Sequence, residues 1–418
     1  MKKASVLAFT LLSMVAGSLS LAEPAQAASA ARQNFAPIVL VHGFSGWGRD
    51  EMLGYKYWGG LTDIQQDLRN YQYETYTAAV GPLSSNWERA CELYAEIKGG
   101  TVDYGEAHAK KYGVQRYGRT YPGYYPQWGQ VNPTTGKVNK VNLIGHSMGG
   151  QTIRTLIQLL ENGSPDEIAY TPAAQLSPLF NGSKKSWVLS ATSIATPHDG
   201  TTLENAVEGI VPHAQQIIGM AASLGGLIGE TVYDFKLDQF GLKRYAGESF
   251  SSYSDRVYNS PIWRSTHDTA EWDLGPDGAK ELNSWVKAQP DVYYFSWGTQ
   301  NTFYNIFTGH QDPSITMNAF LAPNAFFMGA YTRNETGHVP ITSAWYQNDG
   351  VVNTISMNGP KQGSTDSIVT YNGTPQIGKW NYMGTLSYDH GAVVGIGLPD
   401  MRGWYRNLAD QVGALPLK

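Results

Sequence analysis

The segment Gly145-His146-Ser147-Met148-Gly149 places a serine between two glycines, each two residues away. Before it, Val138–Ile144 reads as a strand; after it, Ile153, Leu156, Ile157 and Leu160 recur at helical spacing through Gln151–Glu161, with Gly163 placed to end the helix. Glycines at these two positions let a strand turn sharply into a helix and leave the serine hydroxyl exposed at the sheet edge. That hydroxyl becomes a nucleophile for acyl transfer once a base takes its proton, and histidine is the side chain suited to the task. Nine histidines compete. His146 adjoins the serine on the far side of the turn and His42 belongs to a strand-end turn, so both read as structural. With the order nucleophile, acid, histidine that this strand–turn–helix design uses, the base comes late, leaving His310, His338 and His390. His390 is the best placed, in the polar turn Ser387-Tyr388-Asp389-His390-Gly391 before the last apolar stretch. The acid that would orient it is Asp349 in Asn348-Asp349-Gly350, an arrangement that is also a common turn; Asp312, Asp366 and Asp389 remain alternatives. Charge developing on a carbonyl oxygen would be met by the backbone amides of Met148, next after the serine, and Phe44, just past an early strand.

The elements that must position these groups alternate along the chain. Ile38–Val41 is a wholly apolar, β-branched run ended by His42-Gly43, and Trp187–Ala195 and Val292–Trp297 read as further strands. Strands alternating with helices predict an α/β fold around a mostly parallel sheet. No repeat or linker interrupts the chain, so residues 28–418 read as one catalytic domain with two distinctive insertions. The first, about 86–123, carries Glu88 and His108 among many Tyr and Gly; the second, from Leu203 to about 230, is nearly free of charge and must either be buried or cover something.

Composition excludes several functions. With 30 Lys plus Arg against 35 Asp plus Glu the net charge is −5, and no basic cluster offers a nucleic-acid surface. Hydrophobic residues at 42% against 16% charged describe a folded globule. A single cysteine, Cys91, rules out an internal disulfide and a four-cysteine metal site; it lies in a helix-like stretch where burial is expected. The start Met1-Lys2-Lys3, the apolar run to Ala22 and the small residues Ala25 and Ala27 predict a signal peptide over residues 1–27, cleaved after about Ala27, hence an exported, extracellular protein. No later run has the length and freedom from charge of a stable transmembrane anchor.

The chain resembles the secreted lipases of Bacillus, Geobacillus and Staphylococcus through Pro37–Phe44, Gly81-Pro82-Leu83-Ser84-Ser85-Asn86-Trp87, Gly145–Gly150, Ala195–Gly200, Tyr233–Asp238 and Asn348-Asp349-Gly350. The resemblance implies an α/β-hydrolase fold with helices on both faces of the sheet and a helical lid over about 203–230. It also implies hydrolysis of triacylglycerol esters at a lipid–water interface through Ser147, Asp349 and His390, with the amides of Phe44 and Met148 as oxyanion hole. A phospholipase or soluble-ester carboxylesterase with the same triad is the alternative. The chemistry requires no cofactor. For the family's structural zinc, His108 and Asp268 match and Glu88 replaces an Asp, while Val114 stands where a second His belongs; His267, next to Asp268, is a possible substitute. The family's calcium site is expected to be absent, since Ala392 and Gly397 replace its acidic ligands. A different class, an aromatic-rich polymer-binding protein, is suggested only by 12 Trp and 26 Tyr.

Overall fold

Four apolar residues, Ile38–Val41, form strand β1, and all four are buried. Side chains alternate along a strand, so a strand buried throughout needs cover on both faces. The computed structural model, which describes residues 31–205, 215 and 233–417, provides it. β1 lies between β2 (Thr75–Ala78) and β5 (Val141–His146); beyond β5 come β6 (Val188–Ile194), β7 (Tyr293–Thr299), β11 (Trp380–Leu386) and β10 (Ile368–Thr370). The order is β10-β11-β7-β6-β5-β1-β2, and every pairing is parallel.

Two separate cores follow from the alternation. Ile38 and Leu40 join one, Val39 and Val41 the other. Helix α1 (Ile64–Asn70) covers the first face through Ile64 and Leu68, together with Tyr405, Leu408 and Val412 of the helix Arg402–Gly413. On the second face lie α2 (Asn86–Lys98) and α4 (Met148–Asn162), through Leu93, Ile97, Ile153, Leu156 and Leu160. The expected α/β-hydrolase arrangement is thus present. Cys91 is buried on α2 as expected, and burial pushes its thiol well up.

Several boundaries differ from the sequence reading. β5 starts at Val141, because Val138 is drawn into a bridge with Val131, and it runs through His146, which pairs with Ile194. α4 begins directly after Ser147 and ends at Gly163, whose φ of 66° is left-handed. The stretch 86–123 is not peripheral throughout: its first thirteen residues are α2, packed on α4. The outer part consists of the antiparallel strands β3 (Gly100–Asp103) and β4 (Tyr117–Tyr121) around α3 (Glu106–Tyr112). His310, one of the candidate bases, opens β9 (His310–Pro313), which pairs with β8 (Thr302–Asn305). The expected signal segment, residues 1–27, lies outside the described residues, as does the expected lid except for residues 203–205, residue 215 and the cavity contacts of its first two residues. Among the described residues no helix is long and apolar enough to cross a membrane.

The two glycines around Ser147 are required by contact. A Cβ on Gly149 would lie 2.2 Å from the Val41 carbonyl oxygen, and one on Gly145 would lie 2.5 Å from the backbone of Gly149. These neighbours are main-chain atoms of a buried strand and helix, which cannot step aside. Gly149→Ala is therefore expected to destabilise the fold by about 1–3 kcal/mol, measured by urea unfolding; an unchanged midpoint would contradict the contact.

Candidate active site

Ser147 joins β5 to α4 with φ 56° and ψ −133°, a conformation that L side chains seldom adopt and that costs on the order of 1–3 kcal/mol. Two backbone hydrogen bonds hold it, Ser147 N–H to Ile194 O at 2.9 Å and Gly150 N–H to Ser147 O at 3.0 Å. The serine lines a narrow cavity of about 50 Å³ with His390, walled by Phe44, Leu274, Leu321, Val351 and Ile396. The His390 ring lies 4.6 Å, centre to centre, from that of His146.

Asp349 sits beneath His390, fully buried. Its Oδ2 accepts from His390 Nδ1 at 2.8 Å and from Thr299 Oγ1 at 2.6 Å, while Oδ1 accepts from the N–H groups of Val351 and Val352 at 3.0 and 2.8 Å. The backbone N–H of His390 also donates to the Asp349 carbonyl at 3.1 Å. The Asn-Asp-Gly turn is real, with Gly350 at φ 92°, and it is what aims the carboxylate. The turn thus sets the carboxylate against the His390 imidazole. The competing residues are engaged elsewhere: His338 donates to Asp277, and His310 packs edge-on against Tyr346. Asp312 accepts from Asn305, Asp366 from Ala288 N–H and Trp380 Nε1, and Asp389 from the N–H groups of Gly391, Ala392 and Asn318.

The loop after β1 meets the serine directly. A Cβ on Gly43 would lie 2.5 Å from Ser147 Cβ, so glycine there brings the backbone of residues 43–44 against the hydroxyl. Gly43 N–H donates to Tyr57 Oη at 3.0 Å and Ser45 N–H to Pro82 O at 2.9 Å, which fixes the Phe44 amide between two tethered peptides. Met148 is the first residue of α4, where an N–H has no partner within the helix. Met148 follows Ser147 directly, and Phe44 lines the same cavity.

Sequence reasoning missed three supports. Tyr57 Oη donates to His146 Nδ1 at 2.6 Å, and Thr299 braces Asp349. Arg89, on α2 and fully buried, donates to Gly81 O and Thr152 Oγ1 at 2.7 and 2.8 Å and also to His42 O, so one guanidinium ties the loop to both helices of that face. Burial lowers it to about 10, leaving it charged at neutral pH. Burial also holds His42 and His146 well below the usual imidazole value, with Arg89 adding to the effect at His42 and His390 at His146, so both stay neutral. That agrees with the structural roles expected of them. No spacing in the sequence marks Tyr57, Arg89 or Thr299.

A second cluster joins α2 and α3 to the loop before the helix Ala270–Leu274. Ligand atoms of Glu88, His108 and Asp268, all buried, lie within 4.8 Å of one another. His108 Nε2 donates to Asp268 Oδ2 at 2.8 Å and its ring stacks on Trp87; Glu88 Oε2 accepts from Gln239 at 2.7 Å. Glu88 Oε1 and Gln239 Oε1 are buried without a hydrogen-bond partner. Burial, then the Asp268 charge, raises the Glu88 carboxyl well above its usual range. Two crowded carboxylates, an imidazole and orphaned oxygens fit a divalent cation of the zinc type. The suggested substitute His267 does not join them: its ring stacks on Trp272 at 4.0 Å.

A family model described as "Lipase-like, C-terminal domain" matches residues 34–415. A lipase of Staphylococcus epidermidis is 37% identical over 381 residues, which are 87% of this chain and 50% of that protein. The chain therefore spans about half the length of the curated relatives it matches. Among solved structures, EstA from Clostridium botulinum is 51% identical with a TM-score of 0.88, over 94% of this chain and 90% of that one. Lipase 1 from Pelosinus fermentans is 56% identical with a TM-score of 0.84, over 91% and 99%.

Replacing Arg89 tests the clamp. Arg89→Leu keeps bulk but strands the Gly81 and His42 carbonyls in the core, and is expected to destabilise by about 3 kcal/mol. Denaturant unfolding reads this, and a loss under 1 kcal/mol, roughly one ordinary hydrogen bond, would remove Arg89 from that role.

Proposed function

This chain belongs to the lipase-like family whose model it matches, and from that premise we propose that it is a serine lipase hydrolysing carboxylic ester bonds of triacylglycerols at a lipid–water interface. The observation that carries the reading is the placement of Ser147 and His390 in one apolar cavity with Asp349 bonded to the imidazole from below. His390 takes the Ser147 proton through Nε2 as the hydroxyl oxygen attacks the ester carbonyl. Asp349, satisfied by four donors and buried, holds Nδ1 protonated and offsets the imidazolium charge. The amides of Phe44 and Met148 meet the oxyanion. Collapse of the tetrahedral intermediate breaks the ester C–O bond, and His390 returns the proton to the leaving alcohol. Water, activated by the same imidazole, then releases the fatty acid from Ser147. The protein acts outside the cell after loss of residues 1–27.

The apolar lining of the cavity suits a short acyl group as well as a long one, so a soluble-ester carboxylesterase with the same triad is the second reading. Hydrolysis of emulsified trioleoylglycerol beside soluble p-nitrophenyl butyrate separates the two. The lipase reading expects both activities in the wild type and neither in Ser147→Ala; activity on the soluble ester alone would make the protein an esterase, and activity of the variant would displace Ser147. Asp349→Asn is expected to lower turnover by up to about 10⁴-fold with the fold intact, and near-normal turnover would move the acid elsewhere.

Glu88, His108 and Asp268 are proposed to hold zinc, with Gln239 Oε1 or water completing the set. The ion would neutralise two buried carboxylates and cross-link α2, α3 and the Asp268 loop. Dipicolinate is expected to remove roughly one zinc per chain and lower the melting temperature by several degrees. Added calcium, at constant zinc, should leave it unchanged, since Ala392 and Gly397 bring no side-chain oxygen. Protein purified without zinc and indifferent to dipicolinate would end the proposal.

A further inference from the structure

From Gln300 to Thr332 the chain carries a single formal charge, Asp312, and that one is engaged by Asn305 at 2.6 Å. Within this stretch β8 and β9 form a hairpin that is no part of the seven-stranded sheet. Phe303 and Tyr304 are neighbours on β8, so their side chains point to opposite faces, yet they are 52% and 60% exposed. Aromatic rings thus stand bare on both sides of β8, while β9 is backed by the helix Ala322–Met328. Its tip is more open still, with Ile306 at 75% and Phe307 at 92% exposed, and beyond the hairpin Ile315 is fully exposed. Contiguous apolar surface of this kind on a water-facing protein marks a place of contact.

The base of the hairpin is tied to the catalytic loop. Asn301 N–H donates to Asn348 O at 3.0 Å and Thr302 Oγ1 to the same oxygen at 3.3 Å, one residue before Asp349. Gln311 N–H bonds Gly329 O and Ser314 N–H bonds Asn301 O, each at 3.0 Å. The hairpin is therefore held by short backbone connections to the loop that carries Asp349. Leu398, two residues beyond the cavity wall residue Ile396, is also fully exposed.

We propose that the β8–β9 hairpin, led by Ile306 and Phe307, is an anchor that inserts into the uncharged surface of an aggregated ester phase and sets the catalytic cavity against it. Rings bare on both sides of β8 and at the tip suit a fluid phase that closes around them, whereas a rigid partner would cover one side. The absence of Lys and Arg from the stretch points to a neutral phase over anionic headgroups. The inference rests on the lipase reading only for the identity of that phase as triacylglycerol.

The test uses Ile306→Ser/Phe307→Ser in the full chain carrying Ser147→Ala, so that binding is read without hydrolysis. Flotation with trioleoylglycerol droplets is expected to show partition reduced by about tenfold or more relative to Ser147→Ala alone. With Ser147 present, the double variant should keep its melting temperature and its turnover of soluble p-nitrophenyl butyrate to within about twofold, as expected for exposed side chains away from the cavity. Unchanged partition onto droplets would overturn the proposal, as would stronger binding to anionic vesicles than to droplets. Loss of a wild-type dimer in sedimentation, with droplet partition unaltered, would assign the hairpin to contact between copies of the chain and overturn it too. A wild type that floats with droplets but hydrolyses none of their ester would reject the lipase reading while leaving the anchor standing.

Discussion

The absence of room for a Cβ where β1, β5 and α4 meet is the constraint on which the rest of the structure depends. Ser147 occupies a left-handed backbone conformation there because three glycines, Gly43, Gly145 and Gly149, let main chain touch main chain around it. Any side chain at these points would push β1 from β5 or α4 from the sheet. The strain at Ser147 persists because the flanking elements are buried on both faces and cannot relax. A parallel sheet with two cores is, in this sense, the support that one turn requires.

Around that turn, polar groups among the described residues tie the neighbouring segments of chain to one another. Arg89 holds the loop after β1 from one side, and Tyr57 ties Gly43 to His146 from the other. Asp349 is held by four donors from three segments of chain. Burying a guanidinium is unfavourable unless its donors are met; Arg89 meets two backbone carbonyls and a hydroxyl. The result is a rigid cavity floor beneath walls that are almost wholly apolar. The hairpin rooted on Asn348 extends the same principle outward, since its base shares the backbone that aims Asp349.

The outer unit of β3, α3 and β4 illustrates how position and chemistry separate. His108 and Asp268 are 160 residues apart in the chain, yet they form a hydrogen bond next to Glu88. Resemblance to the family pointed to these three residues, while Gln239, whose amide meets Glu88, carries no signal of its own. His267 was the nearest residue by sequence to fill the missing place, and packing on Trp272 takes it out. Direction of a side chain in a loop is set by its neighbours in space, which spacing does not encode.

The strand-to-helix turn, four of the seven sheet strands to within a few residues and the order of the candidate groups were legible in the sequence, because each depends on local rules: glycine spacing, apolar runs, helical period. The sequence also indicated Asp349 and His390 in preference to their competitors, through the turn chemistry around each. That α2 is a core helix within the stretch read as an insertion emerges only from the folded chain, since it depends on which surface α4 leaves uncovered. Tyr57, Arg89 and Thr299 were invisible for the same reason. Each acts through a partner 14 or more residues away, so its role exists only once the sheet brings the two together.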